Sequence, residues 1–559
     1  MRSFHSSLVR VLNRPGHATL RAVLIGTFAV AGFQIAARAT FAQTTITGFS
    51  PPAVQLGTES EITVTGNFPV WPVQIWTDRD DVQITAKEEK GKLLVKTNAD
   101  TPPGSVWIRF YDQQSASELK RLLIERSRVI PETEPNEKLA QAALIEMPAY
   151  VTGVLEKAGD VDVFSVQLAA GETLVASLAA KQLLGSPMDG VMQLTDEAGN
   201  VLLQSDDERG IDPQLVYPAK ESMKCFLRLL AFPETPTGTI GFAGGGDFVY
   251  VLTLTSGRFL DHVLPLAKVS DVDQQYRASG WNLAADESLD VRVFAKQKQA
   301  VVFSKQADGW QMVPVLDAGF KLVVESDHAQ PQAVELPCAI SGRIAEPDEI
   351  DRYQFTAQNG KKYSFQVASR SHGFKLDALL KIRDAAGKEL ASNDDRSGTD
   401  FDAGLEFNGP ADDQFTLEIS DATGFGGVRY GYRIQAVEVQ PGFDLQVDAD
   451  HFAVAATGEL EIPVKVVRNG GFDKPIKVAA VDLPAGLTAE PVTSEPTGDS
   501  AQKVTLKIVA KDANAFNGEF SIAGDSEIQP AQPASFNLYD GYPLTELWLT
   551  VKPAEPAKN

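Results

Sequence analysis

Oxygen-bearing side chains that could hold a hard cation cluster in one short segment of the chain. The segment ETEPN places Glu132, Glu134 and Asn136 at alternate positions, and alternate side chains of an extended backbone project from the same face. Carboxylate and amide oxygens are the ligands that calcium prefers. Asp160 and Asp162 follow in GDVDVF and could complete the site from across the gap. These residue types predict a calcium site, and a solvated acidic linker is the alternative interpretation.

The elements that must position these side chains are β-strands. Most segments alternate apolar and polar residues, as in SEITVTGNF, KYSFQVAS and QKVTLKIVA, and Gly, Pro, Asn or Asp interrupts them at intervals of about eight to twelve residues. The one stretch with helical composition is EKLAQAALIEM, residues 137–147. The pattern predicts an all-β fold of tandem β-sandwich domains, both jelly-roll-like and immunoglobulin-like.

An internal repeat organises the chain. MDGVMQLTDEAGNVLLQSDD (188–207) matches LDALLKIRDAAGKELASNDD (376–395), and VTGVLEKAGDVDVFSV (151–166) matches ISGRIAEPDEIDRYQF (340–355). The second match pairs Gly153 with Gly342 and Asp162 with Asp351. Such self-similarity indicates two copies of one module. We predict a signal peptide over 1–42, an immunoglobulin-like domain over 44–128, a first repeat module over 132–257, a second immunoglobulin-like domain over 258–331, a second repeat module over 333–438 and a C-terminal immunoglobulin-like domain over 442–555.

The N-terminus has the features of an export signal. The first 42 residues carry five arginines and no Asp, Glu or Lys, and the apolar run AVLIGTFAVAGF precedes small-residue sites. This arrangement predicts a secretory signal peptide cleaved near Ala42, and an uncleaved membrane anchor is the alternative. We therefore expect an exported protein, periplasmic, cell-surface or extracellular, without a membrane span in the mature chain.

Charge and cysteine content narrow the possible partners. The formal net charge of −23 argues against nucleic acid and anionic membranes as ligands. The only cysteines, Cys225 and Cys338, lie in alternating apolar segments of different predicted domains. Two buried free thiols are the favoured state, and a disulfide across a domain boundary is the alternative.

The repeated motifs resemble the bacterial pre-peptidase C-terminal (PPC) domain. The pieces that carry the resemblance are ETEPNEKLAQA, GDVDVFSV, DGVMQLTDEAG and QSDD, and again DEIDRYQF, DALLKIRDAAG and SNDD. The N-terminal domain is similar to the IPT/TIG type of immunoglobulin-like module, and the end of the chain is similar to immunoglobulin-like domains of bacterial surface proteins. The whole assembly resembles secreted proteins of planctomycete-type bacteria.

The resemblance implies a jelly-roll-like sandwich that accompanies secreted proteases and holds calcium between an acidic entry segment and the loop before the D-x-F strand. Glu132, Glu134 and Asn136 match the entry ligands, and Glu137 stands where the family usually has Asp. Asp162 matches the loop aspartate, but the position three before it is glycine, which leaves a ligand missing or replaced by Asp160.

In the second module the resemblance gives the complete loop pair, Asp348 and Asp351. The acidic entry is absent there, because HAQPQAVELP offers no equivalent carboxylate. A calcium site is therefore expected more strongly in the first module than in the second.

No catalytic motif is present in the sequence. It contains no G-x-S-x-G, no H-E-x-x-H and no subtilase set of Asp, His and Ser motifs. The histidines beyond the leader, which we expect at the surface, are His262, His328, His372 and His451.

Two tryptophans are further candidates for ligand binding. Trp71 in FPVWPVQIW is expected near a sheet edge, and Trp310 in ADGWQM is expected in an exposed turn; tryptophan in sandwich loops can stack on sugars or anchor peptides. We predict a non-catalytic adhesion protein that recognises extracellular protein or polysaccharide and is stabilised by calcium. An accessory part or relative of a secreted subtilase-type peptidase, and a structural component of the cell envelope, are the alternatives.

Overall fold

Period-two alternation of apolar residues produces strands throughout the computed structural model, which describes residues 43–233, 241–326, 330–538 and 543–554. The all-β prediction is confirmed, since the described residues form paired β-sheets with only short helical turns. The predicted signal peptide lies outside the described residues, and so does His328. Among the described helices, none is long and apolar enough to cross a membrane.

The N-terminal sandwich packs the sheet β1-β3-β6-β5 against the sheet β2-β8-β7-β4. Its apolar core includes Ile62, Val106 and Phe110, all nearly inaccessible to solvent. Its strands are β1 (Thr45–Ser50), β2 (Ala53–Gln55), β3 (Glu59–Asn67), β4 (Gln74–Thr77), β5 (Val82–Ala86), β6 (Lys92–Thr97), β7 (Gly104–Tyr111) and β8 (Lys120–Glu125).

The first repeat module follows with two five-stranded sheets, β10-β12-β17-β14-β15 and β16-β13-β18-β11-β9. Its strands are β9 (Val129–Pro131), β10 (Ala143–Leu144), β11 (Ala149–Val154), β12 (Asp162–Leu168), β13 (Thr173–Ala179), β14 (Met188–Thr195), β15 (Val201–Ser205), β16 (Gln214–Pro218), β17 (Met223–Pro233) and β18 (Val249–Thr255). One helical turn, α1 (Lys181–Leu184), follows β13.

The second repeat module has the same topology, with sheets β26-β28-β33-β30-β31 and β32-β29-β34-β27-β25. Its strands are β25 (Lys321–Val324), β26 (Gln332–Ala333), β27 (Cys338–Arg343), β28 (Ile350–Ala357), β29 (Lys362–Ala368), β30 (Ala378–Arg383), β31 (Glu389–Asn393), β32 (Gly404–Asn408), β33 (Asp413–Asp421) and β34 (Gly431–Glu438). The repeat in the sequence is therefore also a repeat in strand order.

A smaller sandwich separates the two repeat modules, and a larger sheet system ends the chain. The middle sandwich consists of β19 (Phe259–Leu264), β20 (Lys268–Val269), β21 (Arg277–Trp281), β22 (Asp290–Phe294), β23 (Gln299–Phe303) and β24 (Trp310–Leu316). The C-terminal region consists of β35 (Gly442–Gln446), β36 (His451–Ala455), β37 (Glu459–Asn469), β38 (Ile476–Val481), β39 (Leu487–Ala489), β40 (Val492–Ser494), β41 (Lys503–Ala510), β42 (Phe516–Asp525), β43 (Gln532–Asn537), β44 (Pro543–Leu544) and β45 (Leu547–Lys552).

The helix expected over residues 137–147 does not form. Only a 3-10 turn, Leu139–Gln141, and the short strand β10 occupy this segment. The apolar side chain of Ile145 is buried in the module core, and β10 pairs in parallel with β12. Pairing with the sheet therefore overrides the weak local helical preference. Other 3-10 turns are Ala295–Gln297, Arg370–His372 and Asp499–Ala501.

Both cysteines are buried free thiols, as the sequence favoured. Cys225 lies in β17 and Cys338 in β27, and neither is accessible to solvent. Burial raises the pKa of the Cys225 thiol to about 11 and that of Cys338 to about 12. Both side chains therefore act as small apolar residues of the core.

Buried ion pairs join modules that are distant in the sequence. Asp261 of the middle sandwich accepts two hydrogen bonds from Arg429 of the second repeat module, at 2.6 and 2.5 Å. It also accepts one from Gln214 of the first repeat module at 3.1 Å. Burial alone would raise the pKa of Asp261, but Arg429 and His262 outweigh that effect and lower it. One carboxylate thus connects three modules.

The expectation that His262 lies at the surface is wrong. Its side chain is 1% exposed, its Nδ1 lies 2.7 Å from Asp261 Oδ2, and its ring packs edge-on against Phe374. All six residues of β19 are buried. Leu260 and Val263 enter the core of the middle sandwich, whereas Asp261 and His262 contact the second repeat module, so that polar positions are buried as well. His372 and His451 are half-buried.

The N-terminal sandwich and the C-terminal region are also joined by a buried pair. Arg109 Nη2 lies 2.6 Å from Asp450 Oδ2, and the two side chains are 2% and 7% exposed. Arg109 also donates to the carbonyl of Ser117 at 2.6 Å, and Asp450 contacts His451 at 2.7 Å. The modules therefore contact each other laterally, in addition to their connection through the chain.

We predict that Arg109→Met destabilises the protein by about 3–5 kcal/mol, because the substitution leaves the Asp450 carboxylate buried without its main partner. Equilibrium denaturation by urea measures the change. The control is Lys507→Met, which breaks a pair with Glu459 whose side chains are 47% and 59% exposed and which should change stability by less than about 1 kcal/mol. Equal effects of the two variants would show that the buried pair does not hold the modules together.

Candidate metal centres

Strand β9 carries Glu132 to the edge of the first repeat module. This strand pairs in parallel with β11, and the Glu132 amide continues the ladder by donating to the carbonyl of Thr152 at 2.8 Å. The Glu132 carboxylate then turns back over β11 and accepts the amide of Val154 at 2.6 Å. Backbone pairing therefore fixes the position of this carboxylate independently of any ligand.

A glycine leaves the space that this carboxylate occupies. A Cβ atom at Gly153 would collide with the hydroxyl of Tyr250 and with the carboxylate carbon of Glu132. The equivalent Gly342 of the second module faces Tyr432 and Glu325 in the same way. The glycine that the repeat retains is thus explained by the close approach of a carboxylate and a tyrosine.

Asp162 meets Glu132 at this point. The Tyr250 hydroxyl lies 2.6 Å from Asp162 Oδ2 and 2.9 Å from Glu132 Oε2. A hydroxyl carries one hydrogen, so it can donate to only one of these oxygens at a time. One oxygen each of Glu132, Glu134 and Asp162 lie within 4.8 Å of one another. The structure therefore gathers three of the sequence-predicted ligands.

Three further oxygens in the segment and its facing loop are buried without a hydrogen-bond partner. They belong to side chains that are at most 2% exposed, and they are the Oδ1 atoms of Asn136, Asp160 and Asp162. The Asn136 side chain is attached to the cluster, since its Nδ2 donates to Glu132 Oε2 at 3.2 Å. Buried acceptors without donors are unfavourable. A bound cation would supply the missing partner.

The electrostatics of the cluster favour a proton or a cation. Burial, and then the charge of Glu132, raise the pKa of Asp162 well above its usual range. Burial and the neighbouring carboxylate of Glu132 also raise the pKa of Glu134. Calcium takes six to eight hard oxygens, and the donors present are carboxylates and one amide oxygen. The residues of the first repeat module therefore fit calcium.

Two sequence-predicted ligands take other positions. Asp160 accepts the amide of Glu156 at 2.7 Å through one oxygen and shapes the loop before β12, while its second oxygen is the unpartnered one described above. Glu137 is not part of the three-carboxylate group, and the nearest cation, Lys157, lies 3.9 Å away. The family position at which Glu replaces Asp therefore contributes no oxygen to this group.

The second repeat module has an acidic entry that the sequence analysis missed. Glu325 follows β25, donates its amide to the carbonyl of Ser341 at 2.9 Å, and accepts the amide of Arg343 at 2.5 Å. These are the contacts that Glu132 makes in the first module. The prediction that this module lacks an acidic entry is wrong. Glu325 lies 17 positions before Gly342, whereas Glu132 lies 21 positions before Gly153, so the shorter connection moves the entry out of the register of the repeat. The signal was the parallel between VIPETE and LVVESD.

The loop of the second module also uses a different carboxylate from the one expected. Glu325, Glu349 and Asp351 form its three-carboxylate group. Asp348 lies exposed on the turn with a positive φ of 61° and is outside this group, whereas Glu349 caps the turn by accepting the amide of Glu346 at 2.8 Å. The Asp348 amide donates to the carbonyl of Gly424 at 3.2 Å, which holds this residue on the turn, and Glu349 takes the place in the group that was expected for Asp348.

The second centre is less complete than the first. Burial raises the pKa of Asp351 to about 7, and Tyr432 donates to it at 2.5 Å. Among the described residues, however, the unpartnered buried carboxylate oxygens are those of Asp160 and Asp162 in the first module's cluster, and none belongs to this one. The second centre thus has the same architecture with fewer oxygens that require a cation.

Neither tryptophan singled out in the sequence is freely exposed. Trp310 lies in β24 and is 8% exposed, and its Nε1 donates to Glu125 at 3.2 Å. The expectation of an exposed turn is wrong, because Trp310 packs with Leu123 of β8 and Tyr150 of β11. Trp71 is half-buried, and its ring centre lies 5.5 Å from that of Phe68 with the two rings tilted. Its Nε1 donates to the carbonyl of Lys87 at 2.8 Å. Trp71 therefore belongs largely to the core of the N-terminal sandwich.

Comparisons with known proteins give partial similarities. No protein-family model matches the chain. A probable subtilase-type serine protease of Deinococcus radiodurans is 40% identical over 78 residues, which cover 14% of this chain and 10% of the protease. The chain therefore corresponds to about a tenth of that protein.

Solved structures similar to parts of the chain include two kinds of module. The pre-peptidase C-terminal domain of a Bacillus anthracis collagenase is 12% identical and matches 20% of this chain and 99% of its own length, with a TM-score of 0.17. The fibronectin(III)-like modules of Clostridium thermocellum CbhA are 12% identical and match 37% of this chain and 97% of their own length, with a TM-score of 0.14.

We predict that Gly153→Ala destabilises the protein by about 1–3 kcal/mol, since the added methyl group overpacks the contact between Glu132 and Tyr250. Thermal unfolding in the presence of chelator measures the effect without calcium. Gly246→Ala is the matched control in the same module, because a Cβ atom at Gly246 meets no other atom within 4 Å. Similar unfolding temperatures for the two variants would contradict the proposed close approach.

We also predict that the calcium-free protein loses stability as the pH rises from 6 to 8. A carboxyl group whose pKa is raised in the folded state binds more protons when folded than when unfolded, so that stability is lost as pH rises through the folded pKa. Asp162 has such a raised pKa, and that of Asp351 is about 7. Calcium should oppose the trend, because the ion stabilises the charged carboxylates.

Unfolding temperatures at pH 6, 7 and 8, with chelator and with calcium, test this dependence. Asp162→Asn should flatten the slope in chelator and reduce the calcium effect. Glu125→Gln is the control for the calcium effect. Burial raises the pKa of Glu125 to about 8, but this residue lies outside the metal centre. A slope that Asp162→Asn leaves unchanged would contradict the assignment.

Proposed function

We propose that this chain is a calcium-stabilised, non-catalytic binding protein that acts outside the cell on an extracellular protein or polysaccharide. The observation that carries the proposal is the cluster of Glu132, Glu134 and Asp162, with the unpartnered oxygens of Asn136 and Asp160 beside it. A three-carboxylate group of this kind occurs in both repeat modules. A stabilising ion suits a protein that functions where calcium is available at millimolar concentration.

Calcium would act at the junction between two modules. Glu132, Glu134 and Asn136 lie on the segment that leaves the N-terminal sandwich, and Asp160 and Asp162 lie on the loop and strand of the first repeat module. An ion held by both sides would fix the entry segment against β11 and β12. The protein's contribution is to hold the carboxylates in place through β-pairing, so that little order must be gained on binding.

The described histidines support a binding role over hydrolysis. The two Asp–His pairs, Asp261–His262 and Asp450–His451, resemble half of a catalytic triad. Arg429 binds the first aspartate and Arg109 the second. His262 is inaccessible to solvent, so a substrate could not reach its Nε2 atom. Both pairs therefore serve contacts between modules.

The partial similarity to the Deinococcus protease favours one alternative, an accessory role beside a secreted subtilase-type peptidase. In that case the chain would bind the peptidase or its substrate and would not cleave it. Casein hydrolysis by the purified chain, abolished by a serine-protease inhibitor, would instead establish a hydrolase. It would exclude both the non-catalytic binding role and the accessory role.

The proposal predicts retention on an extracellular polymer that depends on calcium. Purified protein should be retained on insoluble cell-wall polysaccharide or collagen in 1 mM calcium and should be released by chelator. Glu132→Gln/Glu134→Gln should reduce retention, because the first centre is lost, whereas Glu325→Gln should have a smaller effect. Equal retention in calcium and in chelator would contradict the role of the ion.

Thermal unfolding of the same samples separates loss of calcium from loss of ligand. For a calcium dissociation constant of about 10⁻⁴–10⁻³ M, 1 mM calcium should add about 0.4–1.4 kcal/mol of stability. The double variant should lose this increment. A calcium-dependent increase in stability without retention on any polymer would leave the metal centre intact and overturn the binding role.

A further inference from the structure

A cavity lies where four modules meet, away from both carboxylate centres. Its volume is about 630 Å³, within the range of about 300–1,000 Å³ typical of ligand sites. Its wall combines Lys120 of the N-terminal sandwich, Arg209 of the first repeat module, Trp310 of the middle sandwich and His372 of the second repeat module. A site built by packing four modules together exists only in the assembled chain.

The wall is rich in cations, although the protein as a whole is acidic. Four basic side chains line the cavity, namely Lys120, Arg121, Lys181 and Arg209. The two lining carboxylates are Glu125 and Asp212. Glu125 accepts a hydrogen bond from Trp310, and burial raises its pKa to about 8, so it is largely neutral at pH 7. The side chains that line the cavity therefore carry more positive than negative charge, opposite in sign to the net charge of −23.

Asp212 is held mainly by the backbone of the cavity wall. Its carboxylate accepts the backbone amides of Ala180, Lys181 and Gln182 at 3.2, 2.9 and 3.2 Å. Asp402 of the second repeat module accepts three backbone amides in the same way. In both modules this aspartate holds the short helical turn after the preceding strand, and it has a structural role.

Arg209 differs from its counterpart in the second repeat module. The loop between β31 and β32 contains Arg396, which pairs with Asp400 at 3.0 Å and with Asp402 at 3.5 Å. The loop between β15 and β16 contains Arg209, which donates to Ser177 at 3.3 Å and, within the described part of the chain, has no carboxylate at ion-pair distance. The first loop has no counterpart of Asp400, since Gly210 and Ile211 precede Asp212.

Asp261 attracts Arg209 electrostatically. An arginine that forms close ion pairs in one copy, but lines a cavity without a close carboxylate in the other, points to an anionic ligand. A guanidinium group binds carboxylate and sulfate groups through paired hydrogen bonds. The same wall offers Gln182, Gln299 and Ser371, whose side chains can both donate to and accept from hydroxyl groups. Trp310 and Tyr150 add aromatic surface. Acid groups, hydroxyl groups and ring faces occur together in acidic sugars.

We propose that this four-module cavity binds an acidic oligosaccharide, whose carboxylate or sulfate group pairs with Arg209. The inference rests on the proposed binding function and names the ligand class and the site. The carboxylate centres would then stabilise the modules that enclose the cavity, while the cavity itself recognises the polymer.

Isothermal titration calorimetry with short saccharides tests the proposal. The probes are tri-galacturonate with its neutral methyl ester, and monosulfated galactobiose with unsulfated galactobiose, all in 1 mM calcium. At least one acidic probe should bind at least tenfold more tightly than its neutral partner. The two arms distinguish a carboxylate from a sulfate ligand, and either result supports the site.

Variants show whether the binding occurs in the cavity. Arg209→Gln should weaken binding of the acidic probe at least tenfold. Arg228→Gln is the matched control in the same module. Arg228 donates to Gln193 on the neighbouring strand and is not among the residues that line the cavity, so this variant should bind as the unmodified protein does. Because oligogalacturonate itself binds calcium, the comparison of these two variants decides that arm. If Arg209→Gln fails to fold, Lys120→Gln replaces it, with a several-fold weakening expected.

Three results would overturn the inference: no binding of either acidic probe, equal binding of acidic and neutral probes, or binding that Arg209→Gln and Lys120→Gln leave unchanged. Retention on polymer and stabilisation by calcium are measured separately. If both persist although neither acidic probe binds in the calorimeter, the cavity is rejected as the site and the proposed function stands.

Discussion

Two carboxylates, those of half-buried Glu132 and fully buried Asp162, are held side by side in the first repeat module, and the rest of the centre is arranged around them. Glu132 is fixed by parallel pairing of β9 with β11, and Asp162 begins the strand β12. The hydroxyl of Tyr250 lies within hydrogen-bond distance of both carboxylates and can satisfy only one. Repulsion between the charges must therefore be relieved by a proton or by a cation, and the unpartnered oxygens nearby favour the cation.

The same architecture in both repeat modules shows which parts the fold requires. Each module has a parallel entry strand, a glycine under the entry carboxylate, a tyrosine against the aspartate, and a capping acid on the loop. The number of unsatisfied oxygens is what differs between them. The scaffold of the centre therefore belongs to the module, while its demand for an ion depends on a few side chains.

Contacts between modules use buried charge in a different way. Asp261 with Arg429, and Asp450 with Arg109, are opposite charges that satisfy each other. Such pairs contribute more to specific packing than to net stability, because both partners lose their hydration. They bring together modules that are far apart in the sequence, and this packing encloses the cavity that contains Arg209.

Sequence patterns predicted what depends on local periodicity and on repetition. They gave the all-β class, the repeat, the free thiols and the grouping of Glu132, Glu134 and Asp162. They missed Glu325, since a shorter connection displaced it from the register of the repeat. They also misjudged His262 and Trp310, whose burial depends on contacts between distant modules that no local pattern records. Residues at such contacts are predictable only when the packing of the modules is known.

Anomalous diffraction from crystals soaked in terbium, a lanthanide that occupies calcium sites, would show whether the first repeat module binds a cation. We expect a strong peak between the entry segment and β12 in the first repeat module, with oxygens of Glu132 and Asp162 in its coordination sphere. Calcium itself should refine there with oxygen distances of about 2.3–2.6 Å. A well-ordered structure with only water at this position, and protonated carboxylates bonded to each other, would contradict the account.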